Sequence, residues 1–169
     1  MCFFIFALSF KYNKMNFDIL KKKCKTLEKV IRQLSPIYKQ TNDHKQKDYL
    51  ETIIGAAIWY LPTGKTLYSG EISEKAIAEV KNGKKWWQLT KEHIFPRKKA
   101  GRDLLKKLNK ESLQKAYRKK YGRYHLVTSK ENKELVKFQK ENDYNWKKAY
   151  KEVKIKLLTK KIEEIKTLY

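Results

Sequence analysis

Two short segments rich in aromatic and β-branched residues interrupt a chain whose other segments have the periodicity of amphipathic helices. The first covers residues 86–95, where Pro96 ends it, and the second covers residues 124–128. This composition is typical of strands, whereas apolar residues at intervals of three and four predict helices. The sequence therefore predicts an α+β fold that is mostly helical, with a small two-stranded unit embedded among amphipathic helices.

The helical segments differ in how apolar they are. Residues 49–61 are the most apolar, so we expect this helix to be the central core element, ended by Pro62 and Gly64. Pro36 is expected to end the first helix, because proline removes a helical hydrogen bond. The C-terminal segment has one apolar stripe and lysine on its other faces, which predicts a single long helix. The predicted helices are 19–34, 49–61, 74–80, 99–108, 111–121, 129–140 and 145–169.

The same features divide the chain into four regions. Residues 1–14 are predicted to be a disordered or non-native N-terminal extension, because Met15 directly precedes an amphipathic helix. The apolar run at their start is too short to span a bilayer and lacks the flanks of a signal peptide. Residues 15–85 are predicted as a helical region, residues 86–142 as a core with a basic helical insertion, and residues 143–169 as a basic helix.

The charge of the chain is strongly one-sided. Lysine and arginine total 41 against 18 aspartate and glutamate, which gives a formal net charge of +23. Charge of this size attracts polyanions, so nucleic acid is the expected partner. No membrane partner is expected, because the N-terminal apolar run is too short to span a bilayer. The alternative is a lysine-rich composition bias with no functional role. Cys2 and Cys24 form no CxxC pair, which excludes a structural zinc site of the usual kind. The composition indicates a cytoplasmic (intracellular) protein, so both thiols are expected to be free.

Glu92 and His93 are the candidate catalytic pair. A neutral imidazole can take a proton from water near pH 7, and a neighbouring carboxylate can hold a divalent cation. Adjacent side chains of a regular strand point to opposite faces, so the pair serves one site only if the strand bends, as Pro96 would allow. With a further oxygen ligand the pair could hydrolyse a phosphodiester. The alternative is an ordinary pair at the end of a strand.

The residues around this pair resemble a known family. The segment 92–97, Glu-His-Ile-Phe-Pro-Arg, resembles the Asp-His-Ile-x-Pro-Arg segment of the HNH, or ββα-metal, endonucleases. Residues 127–132 are similar to the point where that family's helix begins, with Asn132 entering from its first turn. The resemblance covers about residues 86–140 and leaves both ends of the chain unexplained.

The resemblance implies a small two-stranded ββα-metal unit within residues 86–142. In that unit His93 would be the general base on the attacking water, and Glu92 and Asn132 would bind Mg²⁺, or Mn²⁺ or another divalent cation. Glutamate replaces the more common aspartate, and the family's central asparagine has no clear match. His125 and Asn109 are the candidates for that supporting position.

We therefore expect a metal-dependent endonuclease that hydrolyses phosphodiester bonds in double-stranded DNA, in a restriction-type, mobile-element or phage-type role. The alternatives are a non-catalytic basic nucleic-acid-binding protein and an HNH-like RNase or toxin. The apolar stripe of the C-terminal segment leaves a homodimer open. The cations expected to hold the phosphate backbone are Arg97, Lys98, Lys99, Arg102, Lys106, Arg118, Lys119, Lys120 and Arg123.

Overall fold

A computed structural model describes residues 2–108, 112–140 and 144–168, with side chains from residue 17 onward except those of residues 139 and 140. The helices are α1 (Cys2–Gln40), α2 (His44–Trp59), α3 (Glu74–Lys81), α4 (Arg97–Lys106), α5 (Leu113–Ala116), α6 (Ser129–Val136), α7 (Trp146–Glu152) and α8 (Ile162–Lys166). The strands are β1 (Tyr68–Ser73), β2 (Thr90–His93), β3 (Tyr124–Val127) and β4 (Leu157–Thr159). Short 3₁₀ helices lie at Lys65–Leu67, Trp86–Gln88 and Lys137–Lys140, and a π-helical turn lies at Tyr117–Tyr121.

The chain forms two compact units. One consists of Met1–Gly64 with Arg97–Lys119, and the other of Lys65–Pro96 with Lys120–Tyr169. The first unit is helical and contains α1, α2, α4 and α5, while the second contains the sheet with the remaining helices. None of the described helices is both long and apolar enough to cross a membrane.

In the helical unit, α2 and α4 cross at a pair of glycines. A Cβ atom on Gly101 would lie 2.3 Å from the carbonyl oxygen of Glu51, and one on Gly55 would lie 2.9 Å from that of Arg97. Real Cβ atoms do not approach other atoms so closely, so the two backbones touch in a way that only glycine allows.

A buried carboxylate lies next to this crossing. Glu51 accepts hydrogen bonds from the Tyr38 hydroxyl at 2.7 Å and from the Arg102 Nε at 3.0 Å. Because Glu51 is only 4% exposed, a guanidinium and a hydroxyl on it satisfy a charge that burial would otherwise make costly. These bonds join α1, α2 and α4.

The second unit is built on a four-stranded sheet of order β2-β3-β1-β4. β1 and β3 are parallel, whereas β2 pairs antiparallel with β3 and β4 pairs antiparallel with β1. One face of β3 packs into an apolar cluster that also includes residues of α6 and α7. Its buried members are Val127, Leu135, Tyr144, Ala149, Tyr150 and Ile155.

The structure confirms an α+β fold that is mostly helical, but it corrects the predicted two-stranded sheet. β1 lies between predicted helices, and β4 lies inside the segment predicted as one long helix, 145–169. Lys154, with φ 57°, ends α7, and the following residues pair with β1. Pairing with another strand therefore overrides the helical spacing of this segment, as tertiary context often does.

The predicted end of the first helix was also wrong. Pro36 lies inside α1, which continues to Gln40. The turns around it are held by contacts with other helices: the Ser35 hydroxyl donates to the Leu105 carbonyl at 2.8 Å, and Tyr38 is buried. Such contacts can offset the hydrogen bond that proline removes.

Candidate functional site

The pairing of β2 with β3 places the candidate residues on two faces of the sheet. Glu92 lies directly opposite His125, and His93 lies directly opposite Tyr124. Because side chains alternate along a strand, Glu92 and His125 share one face, and His93 and Tyr124 share the other. The pairing stays regular through this point, since the amide of Ile94 still donates to the Arg123 carbonyl at 3.1 Å. The bend that would bring Glu92 and His93 onto one face does not occur within β2.

On the first face, Glu92 is buried among aromatic hydroxyls. It is 4% exposed, and its negative charge, after burial, raises the pKa of both Tyr144 and Tyr150. Both phenols therefore remain protonated across the physiological range, and the Tyr150 hydroxyl lies 3.1 Å from His125 Nδ1. Of the two expected metal ligands, Glu92 is therefore the buried one.

His125 lies beside Glu92 and is fully buried. Its Nδ1 is 3.1 Å from the Tyr150 hydroxyl, and its Nε2 is 2.9 Å from Glu71 Oε2, although that approach is not aligned as a hydrogen bond. Burial, followed by the nearby Arg123 charge, lowers the pKa of His125 to about 4. A carboxylate only accepts, so the neutral ring is expected to carry its proton on Nε2, and Nδ1 accepts from Tyr150. His125 therefore fixes neighbouring side chains and is poorly suited to act as a base near pH 7.

The start of α6 is fixed by a third glutamate. Thr128 caps the helix and accepts from the Glu131 amide at 3.1 Å, while Glu131 Oε2 accepts from the Thr128 amide at 2.9 Å. The same oxygen accepts from the Ser73 hydroxyl at 2.6 Å, and Ser73 in turn caps α3. Glu131 thus ties two helix starts together. The Thr-x-x-Glu spacing is a capping-box signature, so the sequence did contain a signal for this residue.

This cap determines where Asn132 lies. With Thr128 as the cap, α6 begins at Ser129, so Glu131 occupies the third helical position. Glu131 and Leu135 form the buried line of α6, whereas Asn132 is partly exposed and Val136 is 43% exposed. Asn132 is therefore at the border of the inward face. Because Leu135 packs with Val127, α6 covers the same side of the sheet as Glu92.

His93 lies at the end of an edge strand, on the opposite face. Its side chain is partly exposed, and Tyr124 lies across from it, with the Lys91 ammonium 5.4 Å from the Tyr124 ring centroid. Burial lowers the pKa of Lys91. Because Nδ1 of His93 is buried, a general base at this position would have to take the proton of water through Nε2. The expected base, His93, and the expected ligand, Glu92, therefore lie on opposite faces of the sheet.

The expected phosphate-binding cations are divided between the two units. Those up to Lys119 belong to the helical unit, and several of them already contact neighbours there. Lys98 pairs with Asp48, Arg102 with Glu51, and the Arg97 guanidinium lies over the Trp59 ring. Lys106 and Lys119 are exposed, and Lys99 is partly exposed. Arg118 lies 5.6 Å from the Phe17 ring centroid.

The remaining two cations belong to the unit that contains the sheet. The Lys120 ammonium is 4.2 Å from the Phe95 ring centroid, and Arg123 is partly buried beside His125. Asn109, the other candidate for the supporting position, lies outside the described residues. The sequence did not indicate Glu71 or Tyr150, because their contacts with His125 join distant segments.

The donor atoms can be compared with what a divalent cation requires. Among the described residues, no group of three or more His, Cys, Asp or Glu side chains is arranged to hold a metal ion. A Mg²⁺ site can use fewer protein ligands, since this ion often retains several waters. The Glu92 carboxylate and the Asn132 amide oxygen are hard donors of the kind that Mg²⁺ prefers, and both lie on the α6 side of the sheet. The Glu131 carboxylate already accepts from two donors, the Ser73 hydroxyl and the Thr128 amide. The donor chemistry at Glu92 and Asn132 therefore fits a cation of this class.

Comparisons with known proteins identify no relative. No protein-family model matches the chain, and neither the curated proteins nor the solved structures contain a significant match. The proposal for function therefore rests on the residues of this chain.

Proposed function

We propose that the protein is a metal-dependent endonuclease that hydrolyses phosphodiester bonds in DNA, with His93 as the general base. The observation that carries the proposal is the antiparallel pair β2–β3 followed directly by α6. The pair brings a partly exposed His93 to the end of an edge strand, next to Glu92, and α6 begins with Asn132 in its first turn.

The position of β2 offers a way for Glu92 and His93 to serve one phosphate. β2 is the first strand in the sheet order, so its outer edge has no neighbouring strand among the described residues. A phosphate at that edge can be approached from both faces, with water near His93 on one side and the carboxylate of Glu92 on the other. Glu92 and Asn132 would hold the divalent cation, which would stabilise charge on the phosphate. His93 would accept the proton of the attacking water.

The net charge of +23 supports a nucleic acid as the substrate. Exposed lysines such as Lys106 and Lys119 can neutralise phosphates without reading sequence. Binding of this type weakens steeply with salt, because counterions are released when phosphates are neutralised.

A second candidate function is a basic nucleic-acid-binding protein without catalysis. The observation in its favour is the burial of Glu92 beside His125, Tyr144 and Tyr150, which is also what a structural polar cluster would require. In that case the carboxylate would stabilise the packing of α7 on the sheet, and His93 would be an ordinary residue at a strand end.

Cleavage of supercoiled plasmid distinguishes the two functions. We expect nicking with Mg²⁺ or Mn²⁺ that EDTA stops, and we expect His93→Gln to lower the rate at least about 100-fold, the contribution typical of general-base catalysis. The matched control is His44→Gln, because His44 is exposed on α2 in the helical unit. DNA binding in EDTA should be equal in both variants. Cleavage by His93→Gln at the rate of His44→Gln would contradict the proposal, and cleavage of RNA but not of DNA would indicate the RNase alternative.

A further inference from the structure

We propose that a lysine-rimmed groove beside α7 binds a single-stranded segment of nucleic acid. The groove has a cavity volume of about 490 Å³ and is formed by α7, the turn after it and the start of β4. It lies entirely within the unit that contains the sheet. The inference rests on the proposed function only in that the partner is a nucleic acid, since binding here needs neither metal nor cleavage.

The rim of the groove carries one sign of charge. Four lysines line it, and among the described lining residues there is no carboxylate. Lys147, Lys151 and Lys154 are exposed, and Lys156 is exposed with only a 3.9 Å contact to Glu74. Ammonium groups around a concave surface attract a chain of phosphates, and they follow a backbone without requiring a fixed sequence.

The floor of the groove is apolar and includes an aromatic ring. Trp146, Tyr150, Ile155 and Leu157 form it. The Trp146 ring is partly exposed and is held edge-to-face against His125 and Tyr150, with centroid distances of 4.8 and 5.6 Å. Bases stack on rigid aromatic rings, and such stacking is tolerant of sequence. Bases in a duplex are already stacked on each other, so a floor of this kind favours a single strand.

The backbone at Lys154 is a second, independent observation. The amide of Ile155 donates to the Tyr150 carbonyl at 2.8 Å and that of Lys154 to the Lys151 carbonyl at 3.1 Å. This is the Schellman arrangement, in which glycine usually occupies the left-handed position. Here that position is Lys154, with φ 57°, so the chain accepts a conformation that is unfavourable for a side chain. A lysine at a strained position on the groove rim is consistent with a need for its charge there.

An acidic peptide is the main competing partner, because lysines alone would attract it. The aromatic floor favours nucleic acid, since stacking adds an interaction that a glutamate-rich peptide lacks. Competition by polyglutamate therefore separates the two classes of partner.

The test measures the binding of fluorescein-labelled oligothymidylate by anisotropy in EDTA. We expect Lys147→Gln/Lys151→Gln to weaken binding roughly tenfold and to reduce the slope of log K against log salt by about 1.4, which is about 0.7 for each phosphate that is no longer neutralised. The matched control is Lys75→Gln/Lys81→Gln, which removes the same charge from two exposed positions on α3 in the same unit. Trp146→Leu should weaken binding roughly tenfold, because the bases can no longer stack on the indole, and should leave the slope unchanged.

Equal affinities and slopes for the two lysine double variants would overturn the proposal even if Trp146→Leu fails to fold. A loss of affinity in Lys147→Gln/Lys151→Gln that is as large for the duplex of the same length as for oligothymidylate would also overturn it. So would displacement of oligothymidylate by polyglutamate at an equal concentration of charge. The His93→Gln variant should bind the oligonucleotide as the wild type does. Oligonucleotide binding therefore tests the proposed groove even if the protein does not cleave DNA.

Discussion

Replacing Gly101 by alanine tests the helix crossing that organises the helical unit. The added Cβ atom would lie 2.3 Å from the Glu51 carbonyl oxygen and 3.0 Å from the Gly55 amide nitrogen. Both are backbone atoms of α2, so no side chain can rotate to make room. To reach ordinary contact at 3.4 Å, α2 and α4 would have to separate by about 1.1 Å.

Two opposing effects set the size of the change. Alanine stabilises a helix interior by about 1 kcal/mol relative to glycine, whereas overpacking typically costs about 1–3 kcal/mol. The clash should lie at the upper end of that range, because separation of the helices would also disturb Leu104 and Leu105 and the bond from Arg102 to Glu51. We therefore expect Gly101→Ala to lower the free energy of unfolding by about 2 kcal/mol.

Gly55→Ala provides a comparison, because it creates a milder clash in the same helix crossing. For Gly55→Ala the closest atom is the Arg97 carbonyl oxygen at 2.9 Å, which requires a shift of only about 0.5 Å. Its cost should roughly cancel the gain in helix propensity. Circular dichroism would give the thermal midpoints, with a drop of roughly 4–8 °C expected for Gly101→Ala. Amide hydrogen exchange would localise the loss to α2 and α4. A Gly101→Ala protein as stable as the wild type, with unchanged exchange in α2, would refute this packing.

Two further predictions concern the sheet unit. Burial, and then Arg123, lower the pKa of His125 to about 4 from its ordinary 6.5, so the unfolded chain protonates first and stability is lost as pH falls from about 6.5 towards 4. The loss of stability should approach 3 kcal/mol, reduced by the attraction between the imidazolium and Glu71, which lies 2.9 Å away. Urea titrations at several pH values would measure how the free energy of unfolding changes with pH. This part of the pH dependence should disappear in His125→Gln, and an unchanged dependence would contradict the assignment. Glu131→Ala leaves the Thr128 amide and the Ser73 hydroxyl without their acceptor, so it should lower the free energy of unfolding by about 1–3 kcal/mol. The control Glu134→Ala, on the same helix, should change it by less than about 0.5 kcal/mol. Equal effects of the two substitutions in urea denaturation would contradict the capping role.

The sequence predicted the elements whose signals are local. The helix predicted at residues 74–80 and the strand predicted at residues 124–128 correspond closely to α3 and β3. β1 and β4 were missed, because a short strand with little alternation depends on its partner for stability. β4 is only three residues long and pairs with β1, which lies far away in sequence. No local pattern could have distinguished it from the helical stripe around it.

At the candidate site, the sequence identified residues that are adjacent in the chain, but it did not identify the residues that surround them in space. Glu92 and His93 are adjacent in the chain, but their side chains point to opposite faces. The neighbours of Glu92 come from α7 and from the segment before it, which no motif links to β2. The inward residue at the start of α6 is Glu131, because the capping box at Thr128 places it at the third helical position.

The opposite orientations of Glu92 and His93 make their two variants informative together. If both act on one phosphate at the edge of β2, Glu92→Gln and His93→Gln should each lower the cleavage rate strongly. The double variant should then be no slower than the slower of the two, since residues that act as a unit are not additive. If Glu92 serves only the packing around Tyr144 and Tyr150, its substitution should lower stability and leave the cleavage rate of the folded fraction intact. Because Glu92 is buried, its substitution should lower stability whether it is a metal ligand or a structural carboxylate. The rate for each folded molecule, measured beside the unfolding free energy, therefore separates a metal ligand from a structural carboxylate.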